Sequence, residues 1–400
     1  SAVVASTSNV IKSGDINKFH ELETIGEFPE LGIVKSTEKE LWTETLKAFN
    51  LENKKIASLG TNFGKEVAAL IDFGLPKENI TVIDKSGFPD VWNAAGVNVI
   101  EKSIEEVEMN FKPDVTIANP PYVGKAQLHQ KFFNKAVEMT KDGGVVIFLQ
   151  PATPYQNQKQ PRKHEAKMME NVLEYKTDVK ILDSNIFKGA DIGNDLAVTV
   201  LHKVKNTSGK LNSITYKDGN KYENVSLEDI SMTGISPDVF SKIKSKYENY
   251  TTNNGSLQDK TYYKLNSPKN NIAGLPKIRG HMGSSDMYTF QPTDVSNTKY
   301  YTTDISKKHD FGIEVKNNKE IRNVYSYLTT YVARFGLAIL KNNPNNHMGE
   351  FAKVPLVDFN KKWTDEMLIK ELKLTEKEMK VIINTVGNYH GWLATYQRIN

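Results

Sequence analysis

The residues best suited to chemistry are Asn119, Pro120, Pro121 and Tyr122, which follow the apolar run Val115–Ala118. The run predicts a buried strand, and the two prolines fix φ and keep Asn119 out of the helical region. The result is a stiff turn at a strand's carboxyl end that carries an amide, a carbonyl and an aromatic ring. These groups suit a planar ring with an exocyclic amine, and the alternative is a proline turn with a packed tyrosine.

A glycine-bearing turn lies earlier in the chain, between a strand predicted at 55–59 and a helical pattern at 67–71. Glycine lets a backbone approach a ligand closely, and a helix N-terminus offers unpaired N–H groups. Strand-to-helix turns with glycine are common in α/β proteins, so this one is either a ligand loop or a structural turn. Its residues of interest are Ser58, Gly60, Thr61, Asn62 and Gly64.

Asp84 ends a second apolar run, residues 80–83, and Lys85 follows it. A carboxylate about twenty residues beyond such glycines is placed to bind ribose hydroxyls in nucleoside-binding α/β folds. After a third strand at 97–100, Ser103 and Ile104 lie where an adenine ring could be met.

The alternation of strands and helices continues through a helix at 128–137 and a strand at 145–149. This rhythm predicts an α/β fold, a Rossmann-like, doubly wound and mostly parallel sheet with its ligand at the carboxyl ends of the strands. The rhythm stops near residue 204. We therefore predict a first domain at 1–204 and a separate α+β domain at 205–400.

Composition limits the class of protein. The 400 residues are 38% hydrophobic and 25% charged, with a net charge of +4, which permits a polyanionic partner without requiring one. There is no cysteine, which excludes disulfides, thiolate zinc sites and a cysteine nucleophile. No apolar run is long enough to cross a bilayer, and no secretory signal is evident, so we expect a cytoplasmic protein.

In this order, the glycine turn, Asp84 and the Asn-Pro-Pro-Tyr turn resemble the motifs of S-adenosylmethionine-dependent amino-methyltransferases. The motif order is similar to that of the gamma class of DNA adenine-N6 methyltransferases, phage-encoded or restriction-associated, and the similarity covers about residues 30–204. Three positions depart from the pattern: Asn62 replaces the middle glycine, Ser58 the leading acid, and Ser103 the acid after the third strand.

The resemblance implies S-adenosyl-L-methionine as cofactor and no metal. It assigns Asn119, Pro120, Pro121 and Tyr122 to catalysis, with the Asn119 side chain and the Pro120 carbonyl accepting hydrogen bonds from the target amine. The implied cofactor-binding residues are Thr37, Ser58, Gly60, Thr61, Asn62, Gly64, Asp84, Lys85, Ser103, Ile104 and Asn119. Thr37 is also the predicted N-cap of a helix, with Glu40 at the capping-box position.

A base inside a duplex must be flipped out before its amine can react. The resemblance implies that Tyr122 stacks on one face of the flipped base and Phe187 on the other; the alternative for Phe187 is a core residue at a strand end. Double-stranded DNA is the implied partner, and we expect a monomer, with a homodimer as the alternative. The candidate DNA-binding residues are Lys159, Arg162, Lys163, Lys277, Arg279 and His281.

The alternative interpretation of Lys159, Arg162 and Lys163 is a solvated helix start. The alternative for Lys277, Arg279 and His281 is an ordinary polar loop. The aromatic residues between Tyr325 and Phe335 are predicted to be core, and Thr364 and Thr375 to be helix N-caps.

Other functions stay open. The Asn-Pro-Pro-Tyr turn also occurs in RNA adenine and protein glutamine methyltransferases; the second domain disfavours the latter, and a serine at position 119 would be expected for cytosine N4. A fused nuclease would use Asp304, Asp310 and Glu314, a weak match to a metal-dependent core. A non-catalytic DNA-binding relative is disfavoured by the intact turn.

Overall fold

The computed structural model describes residues 12–18, 39–61, 64–85, 89–108, 112–120, 128–156, 163–182, 195–231, 234–263, 277–280, 290–292, 311–313, 318–340 and 348–386. Within these ranges the chain forms two compact units. The first ends at Ile230 and the second begins at Ser231.

The described strands of the first unit form one nine-stranded sheet in the order β3-β2-β1-β4-β5-β7-β6-β8-β9. Neighbours from β3 to β5 are parallel, and β7 lies antiparallel between β5 and β6. This confirms the expected doubly wound, mostly parallel sheet. The strands are β1 (Ile56–Leu59), β2 (Ile80–Ile83), β3 (Asn98–Ile100), β4 (Val115–Ala118), β5 (Val145–Pro151), β6 (Tyr175–Leu182), β7 (Leu196–Lys205), β8 (Leu211–Thr215) and β9 (Lys221–Val225).

Every residue of β1, β2 and β4 is buried. Parallel strands that are covered by helices on both faces have this pattern, which explains their continuous apolar sequence. The helices of this unit are α1 (Lys39–Leu46), α2 (Lys65–Asp72), α3 (Pro89–Ala94), α4 (Leu128–Met139), α5 (Thr153–Gln156) and α6 (Lys163–Glu174).

The first unit extends beyond the boundary predicted at 204/205. Strand β7 ends at Lys205, but β8 then pairs in parallel with β6, and β9 pairs antiparallel with β8. Leu211 and Ile214 of β8 are fully buried in the same core as the earlier strands. The end of the strand–helix alternation is therefore not the end of the sheet, because two further strands join its edge.

The second unit contains helices and a small antiparallel sheet. Its described strands are ordered β10-β13-β11-β12. They are β10 (Thr261–Tyr263), β11 (Lys277–Gly280), β12 (Phe290–Pro292) and β13 (Phe311–Ile313). The helices are α7 (Pro237–Asn254), α8 (Asn318–Leu328), α9 (Tyr331–Ala338), α10 (Asp365–Leu372) and α11 (Glu376–Val386).

The aromatic residues of α8 and α9 contribute to the core of this unit, as predicted. Tyr327 and Phe335 are fully buried, and the Tyr327 hydroxyl donates a hydrogen bond to the Pro355 carbonyl. The Tyr325 side chain lies outside the described atoms. The rings therefore stabilise the fold and are not available to stack on a ligand.

The two predicted N-caps are confirmed. Thr364 accepts a hydrogen bond from the Met367 amide at the start of α10. Thr375 accepts one from the Glu378 amide, and Glu378 accepts one from the Thr375 amide, which completes a capping box. None of the helices in the described ranges combines the length and apolar character needed to cross a bilayer.

Candidate active site

Three predicted site residues lie in one row at the carboxyl edge of the sheet. Leu59 of β1 is in register with Ile83 of β2 on one side and with Ala118 of β4 on the other. Gly60, Asp84 and Asn119 each follow one of these paired residues. Neighbouring strands lie about 4.8 Å apart, so the row from Asp84 to Asn119 spans roughly 10 Å.

Gly60 is held at the end of β1 by a hydrogen bond from its amide to the Ile83 carbonyl, 2.9 Å long. Its φ is +60°, a left-handed conformation that glycine adopts without steric cost. A Cβ at this position would lie 3.0 Å from the ring of Phe132 on α4. The glycine thus allows both the turn and the close approach of α4.

Gly64, at the start of α2, also has a positive φ, and a Cβ there would collide with the buried Trp92 of α3. The need for glycine at position 64 therefore arises from packing inside the protein. Sequence reasoning connected this residue with the approach of a ligand, and the structure gives it a different physical reason.

Ser58 and Thr61 belong to a buried hydrogen-bond network that also includes Glu66 in the first turn of α2. Ser58 Oγ donates to Glu66 Oε1 at 3.1 Å and lies 2.8 Å from Thr61 Oγ1. All three side chains are buried. Burial raises the pKa of Glu66 to about 7, and the nearby Asp84 carboxylate adds to the increase.

Sequence reasoning did not select Glu66. The signal that could have identified it is an acidic residue two positions after Gly64, in the first turn of a helix that follows a glycine turn. A side chain in this first turn can reach back to the strand end that precedes the turn.

Asp84 is also buried, and its amide donates a hydrogen bond to the Ile100 carbonyl of β3. Lys85 and Ser103 are connected through a third residue, Glu106. Glu106 Oε2 accepts hydrogen bonds from the Ser103 hydroxyl at 2.7 Å and the Ser103 amide at 3.0 Å, and lies 3.5 Å from Lys85 Nζ.

Hydrogen bonds from Ser103 and the charge of Lys85 lower the pKa of Glu106. This contact links the ends of β2 and β3, next to the buried Ile104. The Ser-x-x-Glu spacing of a capping box would have identified Glu106.

In the Asn-Pro-Pro-Tyr turn, Asn119 is partly buried and Pro120 is buried just after β4. Pro121 and Tyr122 lie outside the described residues, as do Thr37, Asn62 and Phe187. The roles assigned to these five positions stay predictions.

Among the candidate DNA-binding residues, Lys163 is an exposed residue at the start of α6. Lys277 and Arg279 occupy alternate positions of β11, which pairs with β12 and β13. Their backbone is thus in a strand, where the sequence suggested a loop. Lys159, Arg162 and His281 lie outside the described residues.

A second buried polar cluster, also missed from the sequence, lies where β5 ends. Tyr155 Oη and Thr199 Oγ1 are 2.6 Å apart, and Gln150 Nε2 donates to Thr199 at 3.1 Å. Burial lowers the pKa of His129 at the start of α4 to about 4, with the Gln150 side chain acting in the opposite direction. His129 is therefore a neutral imidazole at neutral pH.

A groove of about 620 Å³ lies between α4 and α6, lined by residues that include Lys131, Asn134 and His164. Ile104 is the predicted site residue that lines it. The groove runs beside the helices, so it is distinct from the row formed by Gly60, Asp84 and Asn119.

The described residues contain no group of three histidine, aspartate or glutamate side chains that could hold a metal ion. Asp304, Asp310 and Glu314, the residues considered for a nuclease, lie outside the described ranges.

No protein-family profile and no curated protein matches this sequence. Similar solved structures include the type IIG restriction endonuclease BpuSI, at 12% identity over 97% of this chain and 67% of that chain, with a TM-score of 0.46. A protein assigned to the class I S-adenosylmethionine-dependent methyltransferases, from Listeria monocytogenes, has 13% identity over 43% of this chain and 62% of that chain, with a TM-score of 0.34.

An O-methyltransferase from Bacillus cereus, solved in complex with SAH, has 14% identity over 47% of this chain and 90% of that chain, with a TM-score of 0.34. This chain spans less than two thirds of the length of the Listeria protein. The fold assignment rests on the strand order and register of this chain.

Proposed function

We propose that this protein is an enzyme that transfers a methyl group from S-adenosylmethionine to the N6 amine of a flipped adenine in double-stranded DNA. The observation that carries the proposal is the row of Gly60, Asp84 and Asn119 at neighbouring strand ends. In this row, Asp84 carries a carboxylate suited to ribose hydroxyls and Asn119 carries an amide suited to an amine. They are about 10 Å apart because their strands are two strand spacings apart.

The chemistry of the side chains around the row fits the cofactor. S-adenosylmethionine, when bound, supplies an electrophilic methyl group on a positively charged sulfonium. Two buried carboxylates, Asp84 and Glu66, lie at this edge of the sheet. Carboxylates attract a cation, and Asp84 can also accept hydrogen bonds from ribose hydroxyls.

Asn119 and Pro120 orient the target amine. The exocyclic amine of adenine is a poor nucleophile because its lone pair is delocalised into the ring. Two acceptors, the Asn119 side-chain oxygen and the Pro120 carbonyl, favour a pyramidal nitrogen whose lone pair faces the methyl group. Asn119 and Pro120 would hold the amine towards the methyl group that a bound S-adenosylmethionine would supply. The S–C electron pair would stay on sulfur, and the methylated amine would lose a proton to water.

The remaining assignments belong to the same proposal. Tyr122 and Phe187 stack on the flipped base, and the basic residues around Lys163 and Lys277 contact the DNA backbone. The C-terminal unit reads the DNA sequence. The enzyme acts in the cytoplasm of a bacterium, encoded by the host or by a phage, and works as a monomer.

The test is to incubate the purified protein with unmethylated duplex DNA and radiolabelled S-adenosylmethionine, and to digest the DNA to nucleosides for mass spectrometry. We expect labelled N6-methyladenine with the wild type and with an Asn93→Ala control, which changes an exposed asparagine of α3. We expect none with Asn119→Ala, while binding of S-adenosylmethionine is largely retained.

Three results would overturn the proposal: no methylation of DNA, methyl transfer to cytosine, or undiminished transfer by Asn119→Ala. A parallel incubation with single-stranded RNA tests the RNA adenine alternative, which gains support if only RNA is labelled.

A further inference from the structure

We propose that Glu66 is a positioning residue of the cofactor loop, which holds the turn through Ser58 and Thr61 and is favoured in its ionised form by the positive charge of the cofactor. This inference rests on the proposed function, because it assumes S-adenosylmethionine as the ligand. Glu66 would then affect binding of the cofactor indirectly, through the loop residues that it contacts.

The geometry connects Glu66 directly to the turn. Ser58 is the third residue of β1, and its hydroxyl donates to Glu66 Oε1 at 3.1 Å. Thr61, one residue after Gly60, lies 2.8 Å from the same Ser58 hydroxyl, and its own hydroxyl donates to the Ser58 carbonyl at 3.3 Å. The carboxylate thus accepts directly from Ser58 before Gly60 and is connected to Thr61 after Gly60 through the Ser58 hydroxyl.

The described surroundings of Glu66 supply no positive charge. Among the described residues, no lysine, arginine or histidine forms an ion pair with Glu66. Of the described groups, the one that acts on Glu66 by charge is Asp84 at the end of β2, a second carboxylate, and the hydroxyl of Ser58 that donates to Glu66 is neutral. A buried, unbalanced carboxylate favours its protonated form unless a cation is near.

A cationic ligand at this edge would reverse that preference. Binding S-adenosylmethionine next to Asp84 brings positive charge close to Glu66, which favours loss of its proton. By linkage, the affinity for the cofactor must then increase as Glu66 becomes ionised. The burial that raises the pKa of Glu66 to about 7 puts this dependence in the neutral range.

The experiment measures the Kd of S-adenosylmethionine at pH 6.0 and pH 7.5 by calorimetry. We expect the wild-type affinity to increase up to about tenfold between these values, as titration of one group near pH 7 requires. Glu66→Gln should bind more weakly than wild type at pH 7.5 and show a flatter pH profile. Glu52→Gln, an exposed carboxylate in the same unit, should behave like the wild type.

Two additional measurements separate charge from folding. Glu66→Asp keeps the charge and should restore part of the pH dependence, which a purely structural role would not do. S-adenosylhomocysteine lacks the sulfonium charge but keeps the ammonium, so a pH dependence shared by both ligands assigns the effect to the ammonium. A dependence seen only with S-adenosylmethionine assigns it to the sulfonium.

The inference is overturned if Glu66→Gln and the wild type have the same Kd at both pH values. That outcome leaves the proposed function standing. If the wild type binds neither ligand at any pH, the proposed cofactor itself is wrong, and the proposed function fails with it.

Discussion

A Cβ atom on Gly64 would lie 2.1 Å from Cζ2 of Trp92, well inside van der Waals contact. Gly64 also has a φ of +62°, a conformation that disfavours side chains. Trp92 is fully buried, so its ring cannot move into solvent. The packing of α3 against Gly64 therefore fixes the position of the turn between β1 and α2.

Gly64→Ala should destabilise the protein more than Gly74→Ala. Both glycines have positive φ, but a Cβ on Gly74 would meet nothing within 4 Å. The conformational strain alone costs about 1–2 kcal/mol, and overpacking a core adds about 1–3 kcal/mol. Urea unfolding measures the stability of both variants. Equal losses of stability would show that Trp92 does not restrict position 64. Trp92→Leu in the Gly64→Ala background should recover part of the difference.

Glu66→Gln should stabilise the ligand-free protein at alkaline pH. The pKa of Glu66 is raised by burial from 4.5 to about 7, so between these values the folded state binds more protons than the unfolded state. The stabilising contribution of Glu66 is therefore complete below pH 4.5 and lost as pH rises towards 7. A shift of this size corresponds to about 3 kcal/mol at pH 8.

Chemical unfolding at pH 5 and pH 8 measures this effect, with Glu52→Gln as the control. The increase in the free energy of unfolding of Glu66→Gln over that of the wild type should be small at pH 5 and reach its full size at pH 8. Saturating cofactor should reduce the gain, because it favours the ionised carboxylate. A gain that does not depend on pH would contradict the titration of Glu66.

Arg334→Met should strongly destabilise the C-terminal unit. The Arg334 side chain is fully buried, and its Nη2 donates a hydrogen bond to the Val386 carbonyl at 2.6 Å. Burial raises the pKa of the nearby Asp365, and the Arg334 charge opposes that increase only in part. Leaving a buried acceptor, the Val386 carbonyl, without its charged donor costs about 1–3 kcal/mol, and the long Arg334 side chain also loses its packing.

Arg322→Met, which changes an exposed arginine on α8, should alter stability by less than about 1 kcal/mol. Thermal and urea unfolding report both variants. A loss below 1 kcal/mol for Arg334→Met would show that the Arg334 charge is not part of the core.

The main elements of the sheet and the order of the motifs could be predicted from local sequence patterns. Short apolar runs that end in Gly60, Asp84 and Asn119 can be identified locally, since strands buried on both faces are continuously apolar. The caps Thr364 and Thr375 were equally local, because a capping hydrogen bond joins residues three positions apart.

Contacts between side chains that are distant in the sequence depend on how the chain folds. The pairing of β8 with β6 carries the first unit to Ile230, and no local pattern around residue 204 encodes that pairing. The contact of Trp92 with Gly64 and the burial of Glu66 beneath Ser58 depend on how helices pack against strand ends. Such packing, and the low polarity that it creates, is a property of the folded chain. The burial of Glu66 and the pKa of its carboxyl could therefore not be predicted from the spacing of residues in the sequence.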